Sequence, residues 1–139
     1  MNAQSPLLCL PFLVLPFLVL APVVSAKPTE HQNSPKTSKH QIRFTFSYDF
    51  SITPPCSSKV REKCVRQFNF YELSRGIPNR AKLGSMPAPV DATGFVKEIT
   101  GTTKPFLFTP GRHIVGVSAQ MADGSESDLN KCNKIIKIH

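Results

Sequence analysis

The sequence predicts an all-β chain, built as a sandwich or barrel behind an apolar leader and a polar linker. Three observations predict it. Ile42, Phe44, Phe46, Tyr48 and Phe50 alternate with Arg43, Thr45, Ser47 and Asp49, the period-two pattern of a half-buried strand. Further short apolar runs follow, separated by Pro- and Gly-rich punctuation. No segment carries a convincing helical period, and many short strands with regular turns indicate two packed sheets or a closed one.

The leader comes first. An apolar run from Pro6 to Val24 precedes Lys27, the first charged residue. Val24 and Ala26 have the small-residue spacing that a signal peptidase reads, which predicts a signal peptide over 1–26 cut after Ala26. The n-region has no Lys or Arg, so an uncleaved leader anchoring the chain in a membrane stays open as the alternative. Cutting leaves 113 residues of the 139, enough for one domain with a modest core. Residues 27–41, KPTEHQNSPKTSKHQ, have no apolar side chain but proline. They read as a disordered linker, because too little surface can be buried to offset the entropy of ordering them. The folded domain is therefore expected over 42–139.

Its strands follow in order. The first, Ile42 to Phe50, ends before Pro54-Pro55. The second spans Cys64 to Leu73, with Phe68 and Phe70 on one face and Gln67, Asn69 and Tyr71 on the other. Arg75-Gly76-Ile77-Pro78-Asn79 is a turn, and a return strand covers Ala81 to Met86. Phe95 to Ile99 and Pro105 to Thr109 are weaker candidates. After Pro110-Gly111, His113, Val115, Val117 and Ala119 alternate with Ile114, Gly116, Ser118 and Gln120. Asp123-Gly124 marks a turn, and the last strand runs from about Cys132 to Ile138.

The run Pro110-Gly111-Arg112-His113-Ile114-Val115-Gly116-Val117-Ser118-Ala119 resembles P-G-x-[Y/H]-x-V-x-V-x-A, and Asp123-Gly124-Ser125-Glu126-Ser127 resembles the G-x-x-S that follows it. This is similar to the F strand and F–G loop of fibronectin type III and related immunoglobulin-like modules. Phe46-Ser47-Tyr48 resembles that family's B strand and Phe68-Asn69-Phe70-Tyr71 its C strand, so the likeness covers about residues 42–138. Two features depart from it. No Trp stands in the B strand, and His113 or Ile114 replaces the Tyr of the tyrosine corner. The A strand is either missing or formed from the polar segment before Ile42. The resemblance implies a single fibronectin-III-like, immunoglobulin-like antiparallel β-sandwich. It implies a non-catalytic binding or structural module at or outside the cell surface.

After the leader is cut, three cysteines remain: Cys56, Cys64 and Cys132. An odd number in an exported chain flags one free or intermolecular thiol. In the fold that the resemblance implies, all three lie at one pole. It favours a Cys56–Cys64 disulfide clasping the B–C loop, with Cys132 free. Cys56–Cys132 and Cys64–Cys132 remain the alternative bridges. A structural role is expected, since there is no C-x-x-C pair.

The chain carries a formal charge of +8, which favours weak attraction to anionic surfaces and says nothing about fold. Within the implied fold, the basic B–C loop faces the acidic F–G loop, so much charge at that pole would cancel. At the other pole Arg75 and Arg80 flank one turn and Arg112 follows another, with no acid in either. These three arginines are the candidate anion-binding residues, for glycans or envelope polymers. The four histidines show no metal-ligand spacing, and the nine carboxylates form no catalytic constellation. G-x-S-x-G, the phosphate-binding Gly-rich loop and H-E-x-x-H are absent. No enzyme, cofactor or metal is expected. Export and the lack of an aromatic stacking platform argue against nucleic acid. The expected location is secreted, periplasmic or cell-envelope, and the expected partner is an unidentified protein or glycan.

Overall fold

The computed structural model describes residues 39–139, together with the short segments β1 (Leu7–Leu8) and β2 (Pro16–Leu18). The remaining strands are β3 (Lys39–Asp49), β4 (Val65–Glu72), β5 (Ala81–Pro87), β6 (Phe95–Thr102), β7 (Phe106–Leu107), β8 (Gly111–Met121) and β9 (Asn133–Ile138). Two single-turn 3-10 helices, Ile77–Asn79 and Leu129–Lys131, are the only helical pieces among the described residues.

The chain is an all-β antiparallel sandwich of two sheets. One runs β5-β4-β8-β9. The other is built around β3. Its Tyr48 pairs with Val96 on β6 and with Leu7, and its His40 pairs with Phe106 on β7 and with Leu18. A strand has only two edges, so β6 and β7 lie on one side of β3 and β1 and β2 on the other. The arrangement is consistent with an immunoglobulin- or fibronectin-like fold.

The alternation read in the sequence builds the core. Ile42, Phe44, Phe46 and Tyr48 of β3 and Phe68 and Phe70 of β4 are buried, each contributing roughly 1.5–3 kcal/mol. Their rings lock the two sheets together. Phe44 stacks on Phe70 at 4.6 Å, while Phe46 and Tyr48 meet Phe68 edge-on at 4.8 and 5.2 Å. Such pairs add about 0.5–1.5 kcal/mol beyond burial. Gly101 of β6 exists for this packing. A Cβ there would run into the Phe70 ring and stand 2.7 Å from the Met86 sulfur.

Several boundaries differ from the sequence reading. β3 begins at Lys39, so the last residues of the expected linker, Lys39 to Gln41, are strand. They extend because β7 supplies a partner at Lys39 and His40. β6 continues past Ile99 to Thr102, since Thr100, Gly101 and Thr102 pair with β3 despite their weak apolar pattern. The A-strand position is held by neither a gap nor the polar segment. Leu7–Leu8 and Pro16–Leu18, inside the expected leader, pair antiparallel with β3 there. The cleavage point after Ala26 and linker residues 27–38 lie outside the described residues.

Candidate functional site

The basic pole is built by two connections. β4 ends at Glu72, and the chain turns through Gly76, whose φ of 87° suits a residue without Cβ. Gly76 N–H donates to Leu73 O at 2.9 Å, which swings Arg75 outward. Across from it, Pro110 and Gly111 turn the chain into β8 and present Arg112. Between them opens a cleft of about 540 Å³ lined by Arg75, Asn79, Arg112 and His113, with Phe106, Leu107 and Phe108 forming an apolar wall.

Two of the three candidate arginines share this cleft. Arg75 and Arg112 are both exposed, and no described carboxylate lies within ion-pair distance of either. Arg80 points elsewhere. Its guanidinium sits 5.1 Å over the Tyr71 ring and donates to Ile77 O at 3.2 Å. A cation over an aromatic face is held there rather than offered to a ligand.

The cleft also holds an acid that the turns alone did not reveal. Glu72 is mostly buried, and its Oε1 accepts from Ser74 N–H at 3.0 Å and faces His113 Nδ1 at 3.3 Å. His113 Nε2 lies 2.7 Å from Thr109 O, so Nε2 carries the hydrogen that makes this bond. The ring also packs against Phe108 at 5.1 Å. His113 thereby makes a contact like that of a tyrosine corner: a polar ring at the start of the strand bonds back to the backbone a few residues upstream.

At the opposite pole, Cys56 and Cys64 are disulfide-bonded with Cα atoms 4.9 Å apart. Cys56 N–H donates to Val65 O and Val65 N–H to Pro54 O, both at 2.9 Å, so the bridge clasps a loop already tied to β4. Cys132 is fully buried and not a free thiol. It too is disulfide-bonded, through a partner outside the described residues. The free-thiol expectation counted only the three cysteines that follow Ala26.

The basic and acidic loops do meet here, around a cleft of about 660 Å³ lined by Arg61, Lys63 and Asp123. Yet two of the acids are engaged within their own loop and sheet. Asp123 accepts from Ser125 N–H and Oγ at 2.9 and 2.6 Å, which holds its carboxyl below the usual range. Glu126 turns inward over the outer face of the four-stranded sheet. Its Oε1 accepts from Asn69 Nδ2 at 2.8 Å and Tyr71 Oη at 2.7 Å, and its Oε2 from Ser118 Oγ at 2.9 Å. Burial and then the Glu126 carboxylate push the Tyr71 phenol up. The signal for this cluster was present in the outward polar residues Asn69, Tyr71 and Ser118, which a lone strand pattern assigns to solvent.

Among the described residues, no group of His, Cys, Asp and Glu converges as a metal site, and no helix is long and apolar enough to cross a membrane. No protein-family model, curated protein or solved structure matches this chain, so its own residues and geometry carry the functional reading.

Proposed function

We propose that this chain is an exported, non-catalytic module of the fibronectin III type that works by binding at or outside the cell surface. The observation that carries the reading is the end of the sandwich where Arg75 and Arg112 flank an open cleft beside the Phe106–Phe108 wall. Packed side chains fill the interior, which leaves contacts to the poles and edges of a rigid scaffold. Both ring nitrogens of His113 face structural acceptors, Thr109 O and Glu72. That supports an architectural histidine rather than a general base. The Cys56–Cys64 bridge fits an oxidising compartment.

A second reading is favoured by the two unengaged guanidiniums: a basic ligand for anionic glycans or envelope polymers. Planar guanidiniums suit sulfate, phosphate and carboxylate groups. The apolar wall offers a face on which a sugar ring can rest. Retention on a heparin column separates the two readings. Loss of retention in Arg75→Ala/Arg112→Ala, with Arg80→Ala eluting like wild type, supports the anionic ligand. Unchanged retention in the double variant removes that ligand and leaves the protein-binding reading.

A further inference from the structure

β5 ends the order of the four-stranded sheet. Among the described residues its outer edge therefore has no strand to pair with, and backbone groups there stay open to a ligand. The connection from β6 to β7 passes beside this edge. The two segments approach at Gly84, where a Cβ would stand 3.6 Å from Thr103 Cα and 3.7 Å from Lys104 N. A cleft of about 500 Å³ opens here, lined by Lys82, Ser85, Thr102 and Lys104 and by no carboxylate. Lys82 and Lys104 are both exposed, and among the described residues neither enters an ion pair. Two ammonium groups and two hydroxyls thus border one opening. Each ammonium is a compact charge with three donors, and each hydroxyl can turn to suit a ligand. This lysine cleft abuts the arginine cleft on both walls. Ala81 lines the arginine cleft, and Lys82, the next residue of β5, lines the lysine one. Phe106 lines the first, and Lys104, two residues before it, lines the second. At about 3.3 Å per extended residue, these walls are about 3–7 Å apart. Glu72 is the one acid lining either cleft, and it is engaged by Ser74 N–H and His113.

We propose that Lys82 and Lys104 form a second anion subsite, and that the two clefts together hold one linear anionic polysaccharide. Its successive sulfate or carboxylate groups are shared between the arginines of one cleft and the lysines of the other. The proposal rests on the anionic-ligand reading above. A single small anion fills one cleft and leaves the cations of the other unneutralised. A chain that carries charge at regular intervals reaches both. Its contact with the second cleft is then intramolecular, which raises affinity without any new contact in the first. The apolar wall favours a sugar chain over a bare polyphosphate. Leu107 is 53% exposed beside Phe106, and such a face suits a sugar ring while the cations fix the charged groups.

Calorimetric titration of the purified protein with a heparin-derived disaccharide and hexasaccharide tests this. The unaltered chain should bind the hexasaccharide roughly tenfold or more tightly than the disaccharide. Lys82→Ala/Lys104→Ala should weaken the hexasaccharide about tenfold and leave the disaccharide unchanged. Arg75→Ala/Arg112→Ala should weaken both. Lys59→Ala/Lys131→Ala removes the same charge from the opposite pole and should bind like wild type. Circular dichroism checks that each variant folds. The length dependence, read on the unaltered chain, decides the matter if the lysine variant does not fold. A hexasaccharide bound no more tightly than the disaccharide overturns the second subsite while the arginine cleft stands. Equal losses in Lys82→Ala/Lys104→Ala and Lys59→Ala/Lys131→Ala overturn it as well. Inorganic polyphosphate of matched charge, bound as tightly as the hexasaccharide, overturns the choice of a sugar chain. If neither saccharide binds the unaltered chain, the proposal falls and the failure is traced to the anionic-ligand reading.

Discussion

Glu126 is the residue on which most polar groups of the outer sheet face depend. Asn69 and Ser118 are fully buried beneath the loop that carries it, and a buried donor left without an acceptor costs about 1–3 kcal/mol. Glu126→Ala removes the acceptor of the Tyr71 and Ser118 hydroxyls and leaves the Asn69 amide only its longer bond to Gln120 Oε1 at 3.4 Å. It should lower the stability read from urea unfolding by about 2–4 kcal/mol. The same contact sets a pH dependence. Both tyrosines, Tyr48 and Tyr71, have phenols raised above the ordinary value, chiefly by burial. A raised phenol means that the native state keeps its proton longer than the unfolded chain. Stability is therefore full below the ordinary tyrosine pKa of about 10 and falls as pH rises from there through the folded values. Glu126→Gln removes the charge that opposes phenolate formation at Tyr71. One of the two phenol transitions should move down in an ultraviolet titration, and the Tyr48 transition should stay in place. Gly101 shows a packing limit at the same scale. Gly101→Ala drives a methyl into Phe70 and Met86, and overpacking of this kind costs about 1–3 kcal/mol, measurable by thermal unfolding.

At the scale of elements, the strands were legible because their alternation is a local property. β3 and β4 bury the apolar residues that the period-two pattern names, and β8 buries Val115, Val117 and Ala119. The last residues of β6 were not legible. Thr100 and Thr102 are exposed and Gly101 has no side chain to bury, so nothing in their pattern marks a strand until β3 supplies the ladder. β7 is shorter than its apolar run suggests, since only Phe106 and Leu107 find partners on β3. The loop between β3 and β4 depends on covalent closure. Cys56 and Cys64 lie eight residues apart, and a loop of this size gives roughly 2–3 kcal/mol in the chain-entropy model. Cys56→Ala/Cys64→Ala should lose about that much in denaturant unfolding. Peptide mapping without reductant should recover the 56–64 crosslink, whereas a 56–132 crosslink would contradict the pairing.

For the whole molecule, the sandwich sorts charge that looks scattered along the chain. Arg75 and Arg112 lie 37 positions apart in sequence and reach one cleft because β4 and β8 are neighbours in antiparallel register, Glu72 opposite Val115. Arg80, nearer to Arg75 in sequence, is drawn to the other face by Tyr71. The salt dependence of anionic-polymer binding should therefore shrink in Arg75→Ala/Arg112→Ala and stay unchanged in Arg80→Ala. A titration of binding against salt concentration reads this directly. Equal losses in both variants would mean that overall charge, not the cleft, drives the attraction.

By itself the sequence determined the class of fold, the main strands and the ring-filled core, because alternation and turn chemistry act over a few residues. It also narrowed the cysteine pairing, although that step leaned on a family likeness. Only the tertiary structure decided which arginines meet, which acids turn inward, that His113 bonds back to Thr109, and what lies along the outer edge of β3. Those outcomes depend on residues far apart in the chain being brought within a few ångströms, and no local pattern encodes that separation.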